Sequence, residues 1–277
     1  MRQTEGAIVC PGCGRLVELD DASCPHCGRW QPGLFGYGPM LRSIVGDINV
    51  TNAIVYFCVF LYVVSLALDP RAIFEGRSIL GFLSPGFSAS ARMGMTGHQY
   101  IFRFDHWYTL LTAVFLHGGI IHIFFNMYWT RNLGPITEDC YGPVRFWILF
   151  ALSGAGGFLA SALMGTNNTL GASGAIMGLL GANFAYARYR GGGLAESLGQ
   201  QSLYYAGMFL LMGFLMPGVD NMAHFGGLVS GYLLAQTMLP SSHRPASPAL
   251  QVLAGLLAAG VLVGIVASLI TVPQYLG

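Results

Sequence analysis

Hydrophobic residues in this chain gather into long blocks rather than into the short periodic stripes of a water-soluble domain. Seven blocks approach the ~20 apolar residues that a helix needs to cross a bilayer. They cover residues 51–68, 117–133, 144–164, 172–189, 203–219, 222–239 and 250–272. Between the first two, residues 69–116 mix apolar stretches such as 79–83 with Gly, Pro and Ser. That segment is too polar to span and too apolar for an ordinary loop, which predicts an interfacial, partly embedded element. Residues 1–30 are polar and rich in Cys, unlike the basic-then-apolar pattern of a signal peptide. Pro32, Gly33, Gly36, Gly38 and Pro39 then mark a linker. The expected organisation is a small module at 1–30, a linker at 31–50, a membrane core at 51–240 and an additional transmembrane helix at 250–272. The fold class is an all-α polytopic membrane protein.

Composition agrees with this pattern. Of 277 residues, 54% are hydrophobic and 9% charged, against about 25% charged in soluble domains; the mean hydropathy is +0.57. The net charge of +1 leaves no nucleic-acid footprint. All 13 basic residues are Arg, and their distribution predicts orientation. With the N-terminus inside, Arg2, Arg15, Arg29, Arg42, Arg131, Arg145, Arg188, Arg190 and Arg244 fall inside. Only Arg71, Arg77, Arg92 and Arg103 fall outside, all in the 69–116 segment. The prediction is N-in and C-out.

Four of the six Cys lie in the first 27 residues, as Cys10-Pro-Gly-Cys13 and Cys24-Pro-His-Cys27. Two such knuckles supply four soft thiolates, the ligand set of a tetrahedral structural zinc site. A module of this size has little core, and a metal would take its place. Two disulfides or a redox pair are the competing reading. Cytosolic placement under the N-in assignment favours thiolates over disulfides.

Blocks four and six are dense in small residues: Gly171, Ala172, Gly174, Ala175, Gly178, Gly181 and Ala182 in one, Ala223, Gly227 and Gly231 in the other. Four-residue spacing of small side chains lets helices approach closely in lipid, so blocks four and six are expected to pack together. Each also starts with a polar group, Ser173 and His224. Block two carries His122 and Asn126 one turn apart on a single helical face. Under the N-in assignment these three helices all start at the outer surface, so the four polar side chains share one depth. Intramembrane polar groups are costly and are kept for function.

Their chemistry fits acyl transfer. Ser173 supplies a nucleophile and His224 a base that later protonates the leaving amine. The tetrahedral oxyanion needs preorganised donors, and His122, Asn126 and the Ser173 backbone N–H are the candidates. Asp220 reads as loop solvation or a helix-start charge, so the site is a dyad without a carboxylate. Singly, each residue has a bland reading, since Ser often bonds its own helix backbone and a lone His often only packs. His117 reads as a structural residue bonding loop carbonyls, and His98 and His106 as exposed loop residues. The Gly171–Ala175 stretch is not the elbow of soluble hydrolases, because it lacks the last Gly and follows no strand.

At these residues the chain resembles the rhomboid intramembrane serine proteases, over about residues 50–240. The resemblance is carried by His117-Gly-Gly-Ile-Ile-His122-Ile-Phe-Phe-Asn126, by Gly134 to Glu138, by Gly171-Ala-Ser173-Gly174 and by Ala223-His224-Phe-Gly-Gly227. It implies a six-helix rhomboid-like core with a Ser173–His224 dyad and an oxyanion site at His122 and Asn126. It implies a structural role for Glu138 and a membrane-embedded first loop at 69–116. The seventh span and the N-terminal zinc-ribbon are additions to that core. Two positions depart from the family pattern. Tyr108 follows Trp107 where the family often has Arg, and Met177 stands where an aromatic residue often lies under the catalytic His.

The expected function is therefore a serine endopeptidase hydrolysing peptide bonds in or near transmembrane segments of other proteins. No cofactor is expected for catalysis, and Zn2+ is expected in the N-terminal module. Expected partners are transmembrane protein substrates, the lipid bilayer and a cytosolic protein for the zinc module; nucleic acid is disfavoured. The expected location is a prokaryotic plasma (inner) membrane. The alternative is a non-catalytic rhomboid-like protein that binds transmembrane helices for quality control or trafficking. A channel or transporter is weaker, because no inverted repeat is visible.

Overall fold

A computed structural model describes all residues except 1–5, 11–12, 38–48, 71–82, 217, 240–241, 243 and 273–277, and it leaves out the Leu34 side chain. Most of the expected linker, the apolar stretch 79–82, Pro217, and Arg2, Arg42, Arg71 and Arg77 lie outside the described residues. The chain divides into two compact units, Met1–Asn49 and Val50–Gly277.

In the first unit, β1 (Ala7–Val9) and β2 (Leu16–Glu18) pair antiparallel, with Ile8 opposite Val17. Three residues per strand bury almost nothing; the core is Cys10, Val17 and Cys24 with Ile8 and Cys27 against them.

The second unit is helical. Its long helices are α1 (Val50–Leu68), α5 (Ile120–Tyr141), α6 (Pro143–Leu163), α7 (Ser173–Arg190), α8 (Gly193–Leu215), α9 (Asn221–Met238) and α10 (Pro248–Thr271). Short helices α2 (Phe87–Arg92), α3 (His98–Phe102) and α4 (Thr109–Thr112), the last running on into a 3-10 turn at Ala113–Phe115, form the segment between α1 and α5. The protein is an all-α polytopic membrane protein.

The seven hydrophobic blocks each contain a helix, with shifted ends. The second helix starts at Ile120 rather than 117, because the chain bends by 91° between the 109–115 turn and α5. The fifth runs from 193 to 215 rather than 203 to 219. Its first turns carry Glu196, Gln200 and Gln201, which no hydrophobic window counts. Among the described residues, α1, α6 and α10 alone are long and apolar enough by composition to cross a membrane, with the bent pair a fourth. Helices α7 and α9 are diluted by glycines and by polar residues, Asn183, Arg188 and Arg190 in one and Asn221, His224 and Gln236 in the other, and α7 is buried over most of its length.

That packing is backbone against backbone. A Cβ added at Gly227 on α9 would lie 2.1 Å from the Gly174 carbonyl oxygen of α7, and one at Gly231 would lie 2.2 Å from the Gly178 oxygen. Helix α6 joins the same contact, since a Cβ at Gly157 would lie 2.4 Å from the Ala223 oxygen. In lipid, water expulsion drives no helix association, so close van der Waals contact between small residues supplies it.

Polar side chains tie the helix ends. Glu138 Oε1 accepts from the Val50 N–H at 3.1 Å, and its Oε2 accepts from the Thr51 N–H at 3.2 Å and the Thr51 hydroxyl at 2.9 Å. One carboxylate thus caps the start of α1 from the last turn of α5, as a structural residue. The buried Arg145 donates to the carbonyls of Tyr141 and Arg244 at 3.3 and 3.0 Å, joining the start of α6 to the α9–α10 link. Thr137 donates to Asn183 Oδ1 at 3.0 Å, and Tyr141 donates to the Ala182 carbonyl at 2.8 Å.

Candidate active site and metal centre

Ser173 is the first residue of α7, and Ile176 N–H is the first amide to find a helical acceptor, the Ala172 carbonyl at 2.9 Å. The N–H groups of Ser173, Gly174 and Ala175 are therefore the orphan donors of a helix start. His224 is the fourth residue of α9 and is buried. The helix crossing brings the two starts together, because a Cβ at Gly174, next to Ser173, would lie 3.3 Å from the carbonyl oxygen of Ala223, next to His224. Among the described residues no hydrogen bond joins Ser173 to His224, and His224 Nδ1 is buried without a partner. Asp220 caps α9 instead: its Oδ1 accepts from the Ala223 N–H at 2.9 Å and its Oδ2 from the Ser161 hydroxyl.

His122 stands on the first turn of α5. Its Nδ1 accepts from the Gly118 N–H at 3.3 Å, so in the neutral ring the proton belongs on Nε2. That Nε2 lies against Gly171, where an added Cβ would be 2.6 Å away. Gly171 has φ +129°, which L side chains rarely adopt, and the imidazole occupies the space that a Cβ would need. Asn126, one turn on and buried, donates its Nδ2 to the His122 carbonyl at 2.8 Å, leaving Oδ1 without a partner. His117 packs edge-on to His122, with ring centroids 5.2 Å apart. His106 is buried rather than exposed and stacks on Tyr108 at 5.3 Å.

Three features of the site are not read from the sequence. Phe209 of α8 lies edge-on to His224 at 6.4 Å, so an aromatic ring reaches the imidazole from α8 although position 177 is the buried Met177. Trp129 of α5 packs edge-on to Tyr205 and Phe209 at 4.8 and 5.1 Å, closing the seam between α5 and α8. The strand-like stretch before Ser173 is held by backbone bonds to the first loop: Thr96 N–H to the Thr169 carbonyl at 3.1 Å, the reverse at 2.8 Å, and Gly171 N–H to the Ala113 carbonyl at 2.9 Å. Aromatic residues at 129, 205 and 209 carry no pairing signal in a chain where such residues are frequent.

In the N-terminal unit the four thiols of Cys10, Cys13, Cys24 and Cys27 lie within 4.8 Å of one another, with Cys10–Cys27 and Cys13–Cys24 at 3.7 Å. A tetrahedron with metal–sulfur bonds of about 2.3 Å has sulfur–sulfur edges of about 3.8 Å. Disulfides need about 2.05 Å, and none of the four Cys is in a disulfide among the described residues. The two knuckles share one construction. Cys10 accepts from the Gly14 N–H at 2.9 Å and donates to the Arg15 carbonyl at 2.8 Å; Cys24 does the same with Gly28 and Arg29, both at 2.8 Å. Burial opposes ionisation of Cys24, but the backbone N–H groups of His26 and Cys27 and two neighbouring thiols outweigh it and hold the thiol at about 7. The Arg29 N–H favours the Cys27 thiolate, yet burial and the surrounding thiols push it up to about 12. The four Cys could hold a metal ion.

Residues 105–241 match the family model of the Rhomboid domain. The chain is 32% identical over 170 residues to RHOMBOID-like protein 6, mitochondrial, of Arabidopsis thaliana, covering 57% of this chain and 52% of the relative. It is 31% identical over 173 residues to RHOMBOID-like protein 4 of the same plant, covering 58% and 41%. It is 33% identical over 132 residues to rhomboid protease GluP of Bacillus subtilis, covering 48% and 26%. The chain thus spans about half or less of the length of these curated relatives.

Proposed function

We propose that this chain, whose residues 105–241 belong to the rhomboid family, is an intramembrane serine endopeptidase with Ser173 and His224 as its catalytic dyad. The observation that carries the reading is the backbone contact of Gly174 with Ala223, which puts the starts of the Ser173 and His224 helices side by side. Ser173 Oγ attacks the scissile carbonyl while His224 takes its proton. The carbonyl oxygen becomes an oxyanion, stabilised by the Ser173 N–H, His122 Nε2–H and the second Nδ2 hydrogen of Asn126. Collapse of the tetrahedral intermediate breaks the C–N bond, and His224 gives its proton to the leaving amine. Water then repeats the sequence on the acyl-serine, with His224 as base, and frees the new carboxylate. The missing Ser173–His224 hydrogen bond fits a resting enzyme, since catalytic hydrogen bonds are often long until substrate tightens them.

The substrate is a transmembrane segment of another protein. It enters laterally at the α5–α8 seam, which the Trp129, Tyr205 and Phe209 rings hold shut. The N-terminus lies inside, in the reducing compartment that keeps the four Cys as thiols, and the dyad opens to the outer face. A plasma membrane of a prokaryote is the location this reading favours. The N-terminal unit is a zinc-ribbon: Cys10, Cys13, Cys24 and Cys27 hold Zn2+, which supplies a structural crosslink and takes no part in hydrolysis.

The test uses purified full-length protein in detergent with a single-span substrate and a fluorophosphonate probe. Wild type is expected to cleave and to be labelled at Ser173, with both lost in Ser173→Ala and His224→Ala. If Ser173→Ala cleaves as fast as wild type, the assignment is wrong. Absence of labelling in folded wild type would favour a helix-binding, non-catalytic protein instead.

A further inference from the structure

The seventh long helix, α10, lies outside the rhomboid match, yet one face of it is built into the first loop. Gly260, Gly264 and Ser268 fall four residues apart and Thr271 three further on, so all lie along one stripe. A Cβ at Gly260 would touch Leu111 at 3.5 Å, and a Cβ at Gly264 would lie 2.7 Å from Thr112 Cγ2 and 3.4 Å from the Tyr108 side chain. A Cβ at Gly94 of the loop would lie 2.9 Å from Ser268 Oγ. Thr271 donates its one hydroxyl hydrogen to the Ala267 carbonyl at 2.9 Å, so in the 3.0 Å contact with Tyr108 it is Tyr108 that donates. Val272 closes the contact, buried with Ala91, Met95 and Tyr100.

The loop residues gripped by α10 hold the nucleophile in turn. Thr112 donates to the Gly94 carbonyl at 2.7 Å, and Thr109 Oγ1 meets Thr96 Oγ1 at 2.9 Å. Thr96 pairs by two backbone bonds with Thr169, and Ala113 accepts from Gly171, two residues before Ser173. The chain of contacts from Gly264 to the Ser173 backbone is unbroken and passes through residues with buried side chains, Thr96, Thr109 and Thr112.

We propose that α10 is a positioning element: its Gly264–Ser268–Thr271 face clamps Tyr108, Thr112 and Gly94, and through them fixes the 169–171 stretch that presents Ser173. Tyr108 and Thr271 are its polar anchor. The proposal rests on Ser173 being the nucleophile for its functional half, and on contacts alone for its structural half.

The experiment uses the full chain in detergent micelles and compares wild type with Gly264→Leu and Gly255→Leu. Gly255 lies on the same helix with nothing within 4 Å of its Cβ position, so it controls for the added bulk. Amide hydrogen exchange reads the first loop and residues 166–171 without requiring activity, and the rate of fluorophosphonate labelling reads Ser173. Gly264→Leu is expected to speed exchange in both segments and to slow labelling about tenfold, since displacements of about 1 Å can cost 100-fold. Gly255→Leu should match wild type in both. A milder pair guards against misfolding. Gly264→Ala should slow labelling, and adding Thr112→Ser should restore it, because that removes the obstructing methyl and keeps the hydroxyl that bonds Gly94. Unchanged exchange in Gly264→Leu overturns the clamp. Faster exchange confined to the first loop, with labelling unaltered, overturns the link to Ser173. If wild type is not labelled at all, the protease reading fails, while the exchange comparison still decides the clamp.

Discussion

Gly227 is the position where packing and chemistry are most directly coupled, and Gly227→Ala isolates that coupling. The new methyl would sit 2.1 Å from the Gly174 carbonyl oxygen and 2.8 Å from its carbon. Both obstructing atoms are backbone, so no rotamer change relieves them. Restoring a normal carbon–oxygen contact needs α9 to move from α7 by roughly 1.4 Å, given optimal separations of about 3.5 Å between nonbonded heavy atoms. His224 lies one turn from Gly227 and Ser173 is the neighbour of Gly174, so the displacement falls on the proposed dyad. A misplacement of that size is worth about 100-fold in kcat/KM, or about 2.7 kcal/mol of transition-state stabilisation.

Stability alone would not reveal this. Overpacking costs about 1–3 kcal/mol, while replacing a mid-helix Gly by Ala gains back up to about 1 kcal/mol. The variant is therefore expected to stay folded, with a small drop in thermal midpoint and a large drop in turnover. The assay is steady-state cleavage of a single-span substrate in detergent, beside thermal unfolding, with Gly255→Ala as the control. If Gly227→Ala keeps kcat/KM within threefold of wild type, then the α7–α9 crossing does not set the Ser173–His224 geometry.

Three further outcomes follow from the contacts. Glu138→Ala removes the acceptor for two amides and a hydroxyl at the start of α1. It should cost about 2–3 kcal/mol in reversible unfolding, at the scale of a charge-assisted cap; a loss below about 0.5 kcal/mol would remove the cap from the account. Zinc uptake by the metal-free protein should release protons at pH 7, because thiols such as Cys27, held up at about 12, must ionise to bind. The sign makes affinity fall as pH falls, and proton-neutral binding in weak buffer would contradict a thiolate site. Trp129→Ala deletes the two aromatic contacts that cross to α8, worth about 0.5–1.5 kcal/mol each, so lateral admission of substrate should speed up and cleavage rise several-fold; a fall in rate with unchanged thermal midpoint would argue against opening at the α5–α8 seam.

What was legible in the sequence follows from which interactions are written locally. Length and apolarity are local, so seven helices were readable, and four thiols at CxxC spacing announced their cluster. Ends were less readable, because they depend on contacts: α5 starts late where the chain turns at Gly118 and Gly119, and α8 extends backward over Glu196 and Gln200, whose polarity hides it. Small residues at four-residue spacing in blocks four and six foretold the α7–α9 contact, since only close backbones need that pattern. The repeated Gly-Arg after each CxxC is a local signal of the same kind; both glycines have φ +72°, which turns each knuckle back onto its first Cys. The supports around Ser173 were not legible at all. Tyr108 and Thr271 are 163 residues apart, and Phe209 reaches His224 from a helix that the sequence offered only as apolar. Tyr108 stands where the resemblance leads one to expect Arg. Beside α10 it is half of a contact whose other half, Thr271, lies in a helix that the family core does not include.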